Sequence, residues 1–487
     1  MSVRPVLVFI TCIAALAGCG GQKGDEGKVP ITTSSEEARK EFLTGRDFFE
    51  KLRVQNSIQH FERAISLDPN FATAYLQLAQ AATTARDFFD YTKKAVALAD
   101  KVSEGERLAI LAFQAGVNTE IPHQQELLEQ LVAKYPRDER AHFAIGTFYF
   151  GQQQYDKTIE HFRVSLAIDS NYTPAYNLLG YALRFVEKFD DAEKAFKKYA
   201  ELIPNDPNPP DSYAELLMKV GRFDESIEQY RKALAIDPKF INSYAGLAAD
   251  YTYSGKPDAA MAELDKFEGV AQNDGQLRFA LFSKVLVHVD AGRMNDALAM
   301  MDKEYAVAEK THDVANMAAD VATKANILYE MGGKNKEALA LYQQSLKLIE
   351  ESTLSDPVKA NARLAHKFNV ASVAIHMNDL ATARAEADAF KQGAEAIKNQ
   401  AQIWQAHQLL GLIAIAEKRY DDAVTELRQA NQQNPYTLYN LGVAFQGKKD
   451  SVNAREHFAK AAHFNSLPGL NYAFIRTKAA SALSSIM

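Results

Sequence analysis

Few residues in this chain bear reactive or ligating groups, and most of them stand in the wrong company for chemistry. There are 11 histidines and 2 cysteines in 487 residues. No His-Glu-x-x-His run occurs. His457 and His463 stand six apart, which puts them on different faces of a helix. Gly442, Gly447, Lys448 and Lys449 come close to a phosphate-binding loop, but Lys449 stands where a Ser or Thr would hold magnesium. Trp404 and the pair Phe88–Phe89 read as packing residues. No nucleophile has a base and an orienting acid at a usable spacing. The sequence therefore points away from an enzyme and calls for no cofactor and no metal.

One thiol is different. Cys19 follows Leu16-Ala17-Gly18 and an apolar run from Val6 to Leu16, with Arg4 the single charge ahead of it. That run is too short to span a bilayer and suits a cleaved export signal. The four residues resemble the lipobox of bacterial lipoproteins. The resemblance implies removal of residues 1–18, a lipid on Cys19, and anchoring by more than one acyl chain. Gly20 stands where members of that family carry Asp when they are retained in the inner membrane. The expected location is therefore the cell envelope, at the outer membrane facing the periplasm. Cys12 leaves with the leader, so the mature chain has no disulfide. Residues 19–34 read as the lipidated Cys and a flexible tether rich in Gly, Lys, Asp and Thr.

The groups that could recognise a partner lie on helices with a fixed ruler. Small residues return at Gly45, Ala79, Ala112, Gly146, Gly180, Ala214 and Ala248, in steps of 33 or 34. Around them a pattern repeats. Ile145, Gly146 and Tyr149 precede Thr158, Phe162 and Ser165. Tyr176, Leu179, Gly180 and Leu183 precede Ala192, Phe196, Tyr199 and Pro204. Each first helix shows apolar residues at i, i+3, i+4 and i+7, one buried stripe. The small residue lets the second helix approach, and Pro closes the unit. An Asp near the second helix start (Asp156, Asp190, Asp224, Asp421) is expected to cap it.

This pattern resembles the tetratricopeptide repeat (TPR), a 34-residue helical hairpin. The resemblance implies an all-α, right-handed superhelical solenoid of antiparallel helix pairs, about twelve hairpins with a C-terminal capping helix over the open end. The expected divisions are a regular array over 35–274, longer divergent hairpins over 275–403, where Val285 and Asn326 replace the small residue, and further pairs with the cap over 404–487.

In such a fold, first-helix residues that do not pack within the unit line a concave groove. Set from the ruler, these are Phe143, Thr147 and Phe150, then Asn177, Tyr181 and Arg184, then Asp211, Glu215 and Met218, then Ala245, Ala249 and Thr252. Phe143, Thr147, Phe150, Asn177, Tyr181, Arg184 and Glu215 form the candidate binding cluster, since aromatics offer area and Arg holds carboxylates in a fork. A formal charge of −7 without a basic stripe argues against nucleic acid. The expected function is a non-catalytic, membrane-anchored scaffold for envelope proteins or their peptide segments. A carbohydrate-binding outer-membrane lipoprotein is the alternative, weakened by the short turns between helices.

Overall fold

The computed structural model describes residues 27–467 and 469–486, so the expected export signal and Cys19 lie outside the described residues. Twelve helical hairpins follow one another, with no strand among the described residues. The first seven pair α1 (Glu36–Glu50) with α2 (Val54–Leu67), α3 (Ala72–Ala81) with α4 (Ala85–Ala97), α5 (Glu104–Val117) with α6 (Ile121–Lys134), α7 (Glu139–Gly151) with α8 (Tyr155–Ile168), α9 (Thr173–Phe185) with α10 (Phe189–Leu202), α11 (Asn208–Lys219) with α12 (Phe223–Ile236), and α13 (Ile241–Tyr253) with α14 (Pro257–Val270). Five more pair α15 (Asp274–Asp290) with α16 (Met294–Lys310), α17 (Val314–Gly332) with α18 (Asn335–Glu350), α19 (Asp356–His376) with α20 (Leu380–Ala396), α21 (Gln400–Ala416) with α22 (Tyr420–Gln429), and α23 (Pro435–Gly447) with α24 (Ser451–Ala462). A last helix, α25, covers Leu470–Ser485. The architecture is an all-α solenoid of antiparallel helix pairs.

The ruler residue closes each hairpin against the side chain sixteen positions later. A methyl group on Gly146 would stand 2.6 Å from the Phe162 ring, on Gly180 2.6 Å from Phe196, and on Gly442 2.6 Å from Phe458. Carbon atoms in contact prefer about 3.5–4.0 Å, so a bare backbone is what lets the ring lie there. Where the ruler residue grows, the partner changes. Asn326 accepts a hydrogen bond from the Tyr342 hydroxyl at 2.5 Å, and Val285 lies in one core cluster with Met301. The divergent units therefore keep the hairpin by a different contact. Their first helices are also longer: α17 has 19 residues and α19 has 21, against 13 in α7 and α9.

The turn inside the hairpin carries a second ruler. Thr119, Gln153, Glu187, Gly221 and Gly255, each 34 apart, all adopt positive φ between 56° and 78°. This left-handed residue is the middle one of a three-residue turn that reverses the chain. It also changes the expected capping. Asp156, Asp190, Asp224 and Asp421 lie inside the first turn of the second helix, and the N-cap residues Gln154, Lys188, Arg222 and Arg419 make no side-chain cap. The carboxylates act there through the positive end of the helix dipole.

Successive turns of the solenoid meet edge on edge. The Arg53 side chain, in the turn of unit one, lies 3.3 Å from Asp206 ahead of unit six. The amide of Ala85, in unit two, donates to Asp313 at the start of unit nine at 2.9 Å.

Both chain ends differ from expectation. Residues 27–34 are not a free tether where they are described. The amides of Val29, Thr32 and Ser34 donate to Asp138, Glu106 and Asp68 at 2.8, 2.9 and 2.9 Å, and Lys28 pairs with Glu139 at 2.7 Å. The segment runs as a strap across the starts of α7, α5 and α3. At the other end, α25 does not simply cover an open end. It packs against α24 and α23 on one side and against α15 on the other, within a core cluster that joins Val285, Leu286 and Val289 to Tyr472, Phe474 and Ile475. Its aromatic residues find apolar area inside the superhelix, so burial drives it inward.

Candidate functional site

The inner face is built from the first helices of the units, because each second helix takes the outer layer. The structure brings the candidate residues onto this face but engages most of them with one another. The Tyr181 hydroxyl donates to Glu215 Oε1 at 2.7 Å, and Arg184 reaches the same carboxylate at 3.3 Å. The Arg184 guanidinium also lies over the Tyr181 and Phe185 rings, 4.9 and 5.1 Å from their centroids. Phe143 meets Tyr172 edge to face at 5.4 Å, and Phe150 packs against Tyr155 and Phe185 at 5.7 and 5.6 Å. Asn177 is buried, with its side-chain oxygen unpartnered. Thr147 alone of the seven is exposed, its hydroxyl donating to the Phe143 carbonyl at 2.8 Å.

Unit one crosses to this face. Arg140 forks onto Glu50, at 2.8 and 3.2 Å, and stacks on Tyr172 at 5.1 Å. That contact covers the end of the cluster nearest Phe143.

Electrostatics along α9, α11 and α13 are those of groups taken out of water. Burial pushes the Glu215 carboxyl up, and Arg184 opposes it. Burial raises Asp211 well above the carboxylate range, with Glu215 adding to the shift, and Asp211 accepts from the Ser243 hydroxyl at 2.6 Å. Burial pushes the Asp250 carboxyl up to about 8, the Ser226 hydroxyl acting in the opposite sense. Burial pulls Lys219 down to about 8, and the Arg184 charge adds to it.

The residues that actually hold polypeptide were not in the cluster read from the sequence. They are Asp68, Glu106 and Asp138, which hold the N-terminal strap, and a second set further along. Lys219 donates to the Phe464 carbonyl at 2.7 Å, and the Tyr253 hydroxyl donates to the Ser466 carbonyl at 2.6 Å. Asp290 takes both arms of Arg476 at 2.6 Å. Lys219, Tyr253 and Asp290 each stand five places after the ruler residue of their unit: Ala214, Ala248 and Val285. The ruler contained that signal, one residue beyond the last position chosen.

The comparisons agree with this repeat. The chain matches the TPR repeat over residues 214–255, and the tetratricopeptide repeat over 173–206 and over 125–173. This chain carries tetratricopeptide repeats. Among curated proteins it is similar to the mitochondrial import receptor subunit TOM70 of Saccharomyces cerevisiae, at 26% identity over 156 residues, covering 32% of this chain and 25% of that one. It is similar to the peroxisomal targeting signal receptor of Kluyveromyces lactis at 25% identity, covering 23% and 21%. The TPR repeat-containing protein YpiA of Bacillus subtilis is 26% identical, covering 24% and 28%. The chain thus spans between a fifth and just over a quarter of these relatives' length. Among solved structures, a tetratricopeptide repeat protein from Parabacteroides merdae aligns over 56% of this chain and 98% of that one, at 14% identity and a TM-score of 0.35.

Proposed function

We propose that this TPR solenoid is a membrane-tethered scaffold of the bacterial cell envelope that binds polypeptide segments on its inner face and edges, without catalysis. The observation that carries the reading is the way the array treats its own ends. Five bonds run from repeat side chains to the main chain of segments outside the hairpins, through Asp138, Glu106, Asp68, Lys219 and Tyr253. Main-chain recognition is indifferent to sequence and is how extended peptides are held. Two of the similar proteins are named as receptors for import and for a targeting signal, which supports a polypeptide ligand.

Lipidation of Cys19 supplies the tether. Eight residues lie between Cys19 and Lys28, a reach of at most about 30 Å. With Lys28–Ser34 pinned across three units, the anchor would hold units two to four close to the bilayer. Replacing Cys19 with Ala should abolish incorporation of a labelled acyl chain and leave the leader uncleaved. Normal labelling and processing in that variant would remove the anchor from the account. The binding role is tested separately below.

A further inference from the structure

The C-terminal segment sits on units six to nine in the manner of a bound peptide. Residues His463–Leu467 run without helix, and there Lys219 and Tyr253 read two carbonyls. The Lys219 ammonium also lies 4.3 Å from the centroid of the Phe464 ring. The chain then turns helical in α25. Tyr472 meets Tyr253 edge to face at 5.3 Å, and Arg476, one turn on, forks onto Asp290. Lys478 follows, 3.5 Å from Glu330 in unit nine. Four units in a row thus contribute one residue each, Lys219, Tyr253, Asp290 and Glu330, and their contacts come in chain order.

The groove is shaped for a helix. Unit seven presents Ala245, Ala249 and Thr252, all small, and these face Tyr472 and Ala473 across a gap of about 10 Å³, room for roughly one water. Larger residues there would hold a helix off. Asp290 and Glu330 supply the acid side of the track, and α25 brings the matching Arg476 and Lys478. Charge, width and main-chain contacts all select the same occupant.

We propose that units six to nine form a binding site for a polypeptide that enters extended and continues as a helix bearing an aromatic residue one turn before an arginine, and that the chain's own residues 463–486 hold this site closed until such a segment displaces them. The proposal rests on the polypeptide-binding reading above and adds the site, the ligand chemistry and the internal competitor. An intramolecular occupant lowers the apparent affinity for an external one by the fraction of time the site is open. Release of the occupant therefore appears as a gain in affinity with no change in the groove.

The probe is a fluorescently labelled synthetic peptide of residues 463–487. The full chain should take it up weakly. Arg476→Glu sets a carboxylate against Asp290, so α25 should lose amide protection while α13 and α15 keep theirs, and probe affinity should rise about tenfold or more. Adding Asp290→Ala to that variant should abolish the gain. If Arg476→Glu does not fold, the pair Lys219→Met and Tyr253→Phe removes the two carbonyl contacts and should raise α25 exchange alone. Unchanged exchange in α25, or an opened groove that takes no probe, would show a structural cap and overturn the proposal. A partner crosslinked at Thr147 in the same protein would leave the scaffold reading standing, so the two failures are distinguishable.

Discussion

Replacing Gly180 with alanine places one methyl group 2.6 Å from Cε1 and 2.7 Å from Cζ of Phe196, about 1 Å inside a comfortable contact. The Phe196 ring is fully buried, so it has no solvent side to swing into. Forcing a methyl group into a packed core costs about 1–3 kcal/mol. Alanine also favours helix over glycine by up to about 1 kcal/mol, which masks part of that cost. Gly151 supplies the correction. It ends α7 with nothing within 4 Å of the added methyl, so Gly151→Ala reports propensity alone. The two variants should differ by about 1–3 kcal/mol, with Gly180→Ala the less stable. Urea unfolding followed by circular dichroism measures this, and amide exchange should place the loss in α9 and α10, since repeat arrays open locally. Phe196→Leu shortens the clashing group, so Gly180→Ala should be milder in that background. The packing account of the ruler fails if Gly180→Ala matches Gly151→Ala and shows no coupling to Phe196→Leu.

Other consequences can be checked in the same way. Glu187 holds φ at 58°, so Glu187→Gly should stabilise unit five by about 1 kcal/mol in urea unfolding. His142 Nε2 donates to the Pro136 carbonyl at 3.3 Å, which leaves its Nδ1 to accept from His161 Nδ1 at 3.1 Å. Burial lowers both rings' pKa, so their stabilisation is whole above the unfolded value near 6.5 and is lost as pH falls below it. His161→Gln should flatten the loss of unfolding midpoint between pH 7 and 5, and an unchanged slope would contradict the pairing. Asp250 shows the opposite sign: its carboxyl is raised to about 8, so the folded state binds the extra proton and stability falls as pH climbs from about 4 toward 8. Asp250→Asn should raise the thermal midpoint at pH 8 and leave it nearly unchanged at pH 4.

What the sequence revealed was whatever repeats locally. Gly180 and Phe196 are sixteen residues apart, in one hairpin, and the same contact at Gly45–Phe61, Gly146–Phe162 and Gly442–Phe458 repeats that spacing along the chain. Even the exceptions follow it, as Asn326 and Tyr342 do. The left-handed turn at Gln153 and Glu187 was less visible, because only Gly221 and Gly255 announce it by residue type. The strap was hidden for a different reason. Val29, Thr32 and Ser34 dock through backbone amides, which leave no mark in side-chain pattern, on carboxylates up to 109 residues away. The seat of α25 rests on a contact 186 residues apart, between Arg476 and Asp290, and no period encodes it. The candidate cluster lies along the first helices of units four to six. Its members Tyr181, Arg184 and Glu215 then satisfy each other, which spacing alone does not disclose.

The most direct test of a polypeptide-binding inner face is site-specific photo-crosslinking in intact cells making the full-length chain. The photoreactive residue replaces Thr147, exposed on the inner face, or Glu228, exposed on the second helix of unit six. The account predicts discrete protein adducts from position 147 and none from position 228. Adducts from position 228 alone, equal adducts from both, or none from either would contradict it.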